Sequence, residues 1–465
     1  MKTKLNLSLI ALLMAGTATF TSCSKSDDGI TEEPVLPIST DASLANSFFD
    51  KVTYKGAFGT TDWTANWTNF NPKTTVYGAT TETLSGTISA NRTLDASKVY
   101  LLSGFVYVSS GVTLTIPAGT VIRGDATSKA TLIITQGAKL IAEGTSAKPI
   151  VFTSNKEVGS RNPGDWGGLI LLGKAVNNNP GGKGIIEGGI DAAQAVHGGT
   201  DNADNSGILK YVRVEFPGIA FVKDNEINGI TFGSVGTGTT VDYVQVSYSG
   251  DDSFEWFGGS VNAKHLVSIA NIDDVFDFDN GFSGKLQYLV AQRDPGLADQ
   301  AGQANGIESD NSAGDFVTAP RTRPIISNMT IIGPGLVDGG IDLKHEYANL
   351  WRKGSQMILA NSIFIGFKYG VAVRDKETGD ALTSGVSLIR DNIYQAYGGR
   401  DVYIDGGTSA SFASVDLLKT YLTTNGNTFV DATAATALLT SPFTLNATPN
   451  FTLKAGSAAA TGAKF

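Results

Sequence analysis

Two neighbouring stretches superimpose at an offset of 22 residues: YVQVSYSGDDSFEWFGG beginning at Tyr243 and HLVSIANIDDVFDFDNG beginning at His265. The match sets Asp251 on Asp273, Asp252 on Asp274, Phe254 on Phe276 and Glu255 on Asp277. A unit this short, built of alternating apolar and polar residues between Gly, Asn and Asp, cannot bury its own apolar face. It must stack on a copy of itself, which is the definition of a solenoid. Weaker copies open at Tyr211, Tyr288, Asn328 and Asn361, with returns in GIAF, NGIESDN, GGIDLKHE and YGVAVRD.

Alternation along a strand separates the repeat into two parities. Phe254 with Trp256, and Phe276 with Phe278, form the parity expected to face the core, and the acids take the other. Extending the alignment predicts one column of Ala220, Glu255, Asp277, Glu308, Asp342 and Ala372. A second, two positions on, contains Phe257, Asp279, Asp310, Lys344 and Arg374. Strands in successive coils lie about 4.8 Å apart, so stacked carboxylates repel one another strongly wherever water is scarce. Four things can offset that repulsion: a divalent cation, the flanking Lys344 and Arg374, a proton on one member of a pair, or open hydration. Oxygen donors at Asp251, Asp273, Asp277, Asp279 and Asp310 are the candidate metal ligands of this face. Asp201 and Asp204, in the Asn-rich run before Gly207, form a second candidate set suited to Ca²⁺, or alternatively a cluster of Asx turns. The candidate catalytic residues are Glu255, Asp277, Glu308, Asp342, Lys344 and Arg374.

Short regular strands from ETLSGTISANRTL onward, separated by turn signals, place the solenoid at residues 75–405. Residues 46–74, with Trp63 and Trp67, read as an aromatic N-terminal cap, since an open solenoid end invites edge pairing. Residues 406–465 read as a C-terminal cap around one helix, with Val415, Leu417, Leu418 and Leu422 on a helical period. Three insertions interrupt the strands, at residues 175–207, 294–323 and 344–353. Within them His197 reads as a loop histidine and Arg321 and Arg323 as candidates to reach the carboxylates. Trp351 reads as either a stacking platform or a loop anchor.

Residues 1–22 have the form of an export leader, Lys2 and Lys4 preceding an apolar run, and Cys23 is the chain's one cysteine. A cysteine at that junction predicts acylation and a lipid anchor, with residues 23–45 as a polar tether. The net charge of −9 shows no basic patch and gives no reason to expect nucleic acid.

The run from Val112 to Ala175, with TIPAGTVIRGD, GAKLIAEGTSAKPIVFTS and above all DWGGLILLGKA, resembles the early coils of right-handed parallel β-helices of the pectin-lyase-like superfamily. The SKSDDG after Cys23 is similar to the surface-export signal of Bacteroidota lipoproteins, many of whose β-helical members have no assigned activity. The resemblance implies an all-β, right-handed parallel β-helix on the outer membrane, lipid-anchored and surface-exposed. It also implies contact with an extracellular polysaccharide or a surface protein. Two functions stay open: cation-assisted binding of a glycan or partner protein at the acidic face, and cleavage there by a polysaccharide lyase or glycoside hydrolase. A lyase of this fold holds Ca²⁺ with acids against a uronate and uses Arg or Lys as base; a hydrolase needs a carboxylate pair at a defined separation.

Overall fold

A computed structural model describes residues 42–222, 225–404, 411–445 and 447–465; the leader, Cys23 and most of the tether lie outside them. The chain is a right-handed parallel β-helix with three ladders of strands. On the first ladder Gly168–Leu172, Ile230–Gly233, Phe254–Phe257, Phe276–Asp279, Ile307–Ser309 and Tyr347–Trp351 pair in parallel, in that order. The 22-residue offset is the true register here, with Phe254 opposite Phe276, Glu255 opposite Asp277 and Trp256 opposite Phe278. The inward parity is apolar, as expected. Phe232, Trp256, Phe278 and Phe282 stack at centroid separations of 5.0 to 5.6 Å and are fully buried. Burying each such ring stabilises the fold by about 1.5–3 kcal/mol.

The other two ladders are carried by longer strands that bend in the middle, among them Gly207–Glu215, Thr240–Ser247, Ala263–Ile269, Lys285–Gln292 and Ile325–Ile332. Every bend falls on the residue that opens a sequence copy. Tyr211, Tyr243, His265, Tyr288 and Asn328 all have φ between 50° and 60°, in the left-handed region that non-glycine residues rarely occupy. Each is skipped in the strand register, so its side chain leaves the wall at the corner. The rings stack on one another, 4.5 Å between Tyr211 and Tyr243, 4.1 Å between Tyr243 and His265, and 5.1 Å between His265 and Tyr288.

That corner column explains where the aromatic N-terminal segment lies, which is not where the sequence suggested. Residues 50–77 do not close the first coil, Glu82–Ile88, but run lengthwise down the flank as a strap. Gln287 and Gln245 each exchange two hydrogen bonds with the strap backbone, at Asp50 and Asn69 respectively. Asn328 donates to Tyr54 O, Trp63 meets the His265 ring edge-on at 5.0 Å, and the Tyr77 hydroxyl donates to Glu215. Trp67 is fully buried on Tyr211 and Tyr243. The aromatics therefore bury a row of aromatic corners rather than an end. The final segment joins them, with Leu453 N donating to Gly59 O and Phe451 stacking on Phe58. The tether is also shorter than expected at its end, because Leu44 and Phe49 are buried beside Ile325, Ile358 and Leu388.

Three α-helices are present among the described residues: α1, Lys376–Thr383; α2, Val415–Thr424; and α3, Ala432–Thr436. The anticipated helix is α2, whose buried face is Leu418, Tyr421 and Leu422, while Val415 is exposed. Ser414 caps its start by accepting from Leu417 N. The parallel ladder outlasts residue 405, because Thr428–Phe429 adds a rung to Ile393–Ile404. Among the described residues no helix is long and apolar enough to cross a membrane.

Candidate functional site

The loops entering Phe254–Phe257 and Phe276–Asp279 each carry two aspartates, and stacking brings the pairs together. The carboxylate of Asp252 accepts from the backbone N–H of Asp274 at 2.7 Å, and that of Asp274 from Asn305 N at 2.5 Å. One coil further, Asn305 Oδ1 accepts from Tyr347 N at 3.1 Å. This side-chain ladder fixes the acids in place by satisfying backbone donors that the turns leave over. Three positions on, Glu255, Asp277 and Glu308 stand in one register column, as the repeat predicted. Asp277 and Glu308, with the aspartate pairs, line a cleft of about 530 Å³ whose walls hold eight carboxylates, those of Glu226, Asp251, Asp252, Asp273, Asp274, Asp277, Asp299 and Glu308, against the guanidiniums of Arg352 and Arg374; Glu255 stands behind this wall.

The far end of the predicted columns is corrected by the strand pairing. Glu308 is opposite Leu350, and Leu350 opposite Ala372, so Asp342 is not in the column. The first member is likewise Thr231, opposite Glu255, while Ala220 belongs to a separate two-stranded antiparallel pair. Asp342 and Lys344 sit instead in the turn before Tyr347, against the 294–323 loop at the lip of the cleft. Asp342 accepts from Gln300 at 2.9 Å and Lys344 donates to Gly302 O at 3.3 Å, holding the 294–323 loop in place. The supposed loop 344–353 is largely the strand Tyr347–Trp351, and Trp351 is fully buried, so it is neither a platform nor a loop anchor. Arg321 and Arg323 donate to the carbonyls of Gly354 and Val386 and are not among the residues that line the cleft. The cation that reaches the carboxylates is Arg352, bound to Glu308 and, at 2.7 Å, to Asp310, which Lys353 also meets at 2.6 Å. Arg374 lines the cleft beside it and lies over the Tyr347 ring at 5.5 Å.

Asp251, Asp252 and Asp273 bring carboxylate oxygens within 4.8 Å of one another, and so do Asp252, Glu255 and Asp277. Asp279 and Asp310 lie on the next outward position and share Lys353. Asp201 and Asp204 are elsewhere and join no such group among the described residues. Asp201 caps the turn at Ala203 N and Asp204 bonds the Ser206 hydroxyl, an Asx-turn arrangement. His197 is buried with its Nδ1 against Ser234 Oγ, and burial lowers its pKa to about 4.

Burial, reinforced by neighbouring acids, raises the pKa of Glu255, Asp277, Asp251, Asp252 and Asp273 well above the carboxylate range. The same causes push Asp274 up to about 8 and Asp279 to about 7. Glu187, delivered by the 175–207 insertion against Glu255, is pushed by burial and by Glu226 to about 7. Beneath the cleft Arg293 is fully buried and bonds Asn271 Oδ1 at 3.0 Å, and burial lowers it to about 10 although the surrounding aspartates oppose this. His345 accepts from it at 3.3 Å and is held neutral by burial and by Arg293, its pKa lowered to about 3. For Arg352, burial is outweighed by Glu308 and Asp310, which raise its pKa.

The donor set suits a hard cation. Two oxygens bound to one Ca²⁺ at about 2.4 Å are at most roughly 4.8 Å apart, and both acid triplets meet that limit. Asp277 Oδ1 is buried and has no hydrogen-bond partner among the described residues. Such an atom calls for a proton, an ordered water or an ion.

The fold and this cleft define a β-helical protein with a carboxylate-lined groove on one face of its solenoid. The chain belongs to a family of pectate-lyase-like β-helix domains, which matches residues 86–437. No curated protein and no solved structure matches it.

Proposed function

We propose that the protein binds an extracellular glycan through divalent cations held in the carboxylate cleft, displayed on the outer membrane by a lipid on Cys23. The observation that carries this reading is the pair of carboxylate triplets meeting at Asp252, with the unpartnered Asp277 Oδ1 on the cleft wall. A cation there neutralises the stacked acids and offers its remaining coordination positions to ligand oxygens. Binding is favoured over elimination chemistry because the cations at the cleft are engaged. Arg352 is clamped by two carboxylates that raise its pKa further from that of a base, Arg374 donates to the Tyr347 hydroxyl at 3.3 Å, and Lys344, outside the cleft wall, is spent on Gly302 O. Glycoside hydrolysis draws support from Glu255, whose raised pKa is that of a general acid. Calorimetric titration of purified protein with a glycan panel, in Ca²⁺ and in chelator, tests the proposal. Binding that needs Ca²⁺ and is lost in Asp277→Asn is expected. New reducing ends or unsaturated products formed by wild type alone replace binding with catalysis, and affinity indifferent to chelation removes the cation.

A further inference from the structure

The outward face carrying the cleft does not end with it. The column Asp252, Asp274, Asn305 continues through Tyr347 and Tyr369 to Arg400. The column Glu255, Asp277, Glu308 continues through Leu350 and Ala372 to Tyr403. Within a few rungs the face changes from carboxylates to aromatic rings and cations. Tyr347, Tyr369 and Tyr403 form a three-ring cluster with centroids 5.4 to 5.9 Å apart, lying over the buried Leu350 and Ala372. Tyr369 and Tyr403 remain partly exposed. Arg400, itself exposed, stands 5.8 Å from the Tyr369 ring and 5.7 Å from that of Tyr403, and makes no ion pair among the described residues. Lys368 lies 4.9 Å from Tyr369 and is ion-paired with Glu346 at 3.4 Å, which leaves Arg400 as the cation of this patch without an ion pair.

We infer that Tyr369, Tyr403 and Arg400 form a second glycan subsite, which holds a pyranose ring carrying an anionic group. This rests on the reading of the cleft as a glycan site and names the class of glycan. Partly exposed aromatic rings accept the C–H groups of a sugar, and a guanidinium beside them that has no ion pair donates to a carboxylate or sulfate in a bidentate contact. At about 4.8 Å per rung, Tyr403 is roughly 14 Å from Glu308, so one chain laid along the axis spans both sites. The anion meets a cation at each: an ion held by the acids at one, Arg400 directly at the other.

The test compares wild type, Arg400→Gln, Tyr403→Leu and Asp277→Asn in binding to a uronic-acid oligosaccharide, a sulfated one and a neutral one of equal length, with and without Ca²⁺. Arg400→Gln should weaken anionic glycans at least about tenfold, as expected for the loss of a charge-assisted contact, and leave the neutral glycan unmoved. Tyr403→Leu should weaken all of them, and neither change should alter the Ca²⁺-induced rise in melting temperature. The uronic and sulfated arms show which anion is preferred. If Asp277→Asn weakens binding while Arg400→Gln and Tyr403→Leu do not, the subsite is refuted and the cleft stands. If wild type retains no anionic glycan, both fall together.

Discussion

In chelator, stability should fall as pH rises through neutrality, the reverse of ordinary acid denaturation. Asp274 has its pKa raised from 3.8 to about 8 by burial and by Asp273, so the folded state holds a proton that the unfolded state releases near pH 4. A carboxyl raised in this way contributes stability that is complete below its unfolded pKa and is lost as pH climbs to its folded pKa. Between roughly pH 5 and 7, Asp274 alone costs on the order of 1 kcal/mol per pH unit, or roughly 3 kcal/mol over the interval. Asp279 and Glu187, each raised to about 7, steepen the slope up to that pH. Ca²⁺ should flatten it, since an ion replaces the protons, and at a hundredfold excess over Kd should restore about 2.7 kcal/mol. Urea melts followed by circular dichroism from about pH 5 to 8, in chelator and in Ca²⁺, give both slopes. Stability that is flat or rising with pH in chelator would refute the reasoning, since the acids would then be ionised and hydrated in the folded protein.

Arg352→Met leaves Glu308 and Asp310 without their clamp and should cost about 3 kcal/mol at neutral pH, less where the acids are protonated, read from the same melts. Trp351→Ala should cost about 3–5 kcal/mol as a core truncation and leave the affinity of the folded protein for glycan unchanged, checked by titration well below the melting temperature. Cys23→Ala should move the protein from the membrane fraction to the soluble one, or stop its maturation, as fractionation and immunoblotting would show; unchanged membrane association would exclude the anchor.

Where two copies are adjacent and of equal length, alignment reads the structure directly: Glu255 and Asp277, with Phe254 and Phe276, are register partners. The column failed after Glu308 because an insertion had to be placed, and GGIDLKHE resembles NGIESDN in letters although NLWRK is its true counterpart. The usable signal was the inward aromatic. Aligning Trp351 with Trp256 and Phe278 puts Leu350 after Glu308 and exposes Arg352 as the cation at the second column. Glu226 and Asp299 in the cleft, and Glu187 against Glu255, were not legible by any period, because insertions of unequal length bring them there. The aromatic strap was misplaced for a related reason. Composition shows that Trp63 and Trp67 need an apolar partner, but the partner is a row of corner rings, and the left-handed bend that turns Tyr243 and His265 outward has no sequence mark of its own.

The strap changes how such a solenoid comes apart. In a simple stack each coil touches only its two neighbours, so a frayed end can unravel one rung at a time. Here a single segment is fastened in turn to Gln287, Asn328, His265, Gln245 and Glu215, and its other side is held by the chain's final residues. The last coil cannot loosen without lifting a ribbon that also covers the middle coils, so the aspartate-bearing rungs share the fate of the ends. A face that stacks like charges is thereby kept in register by a part of the chain that never touches it.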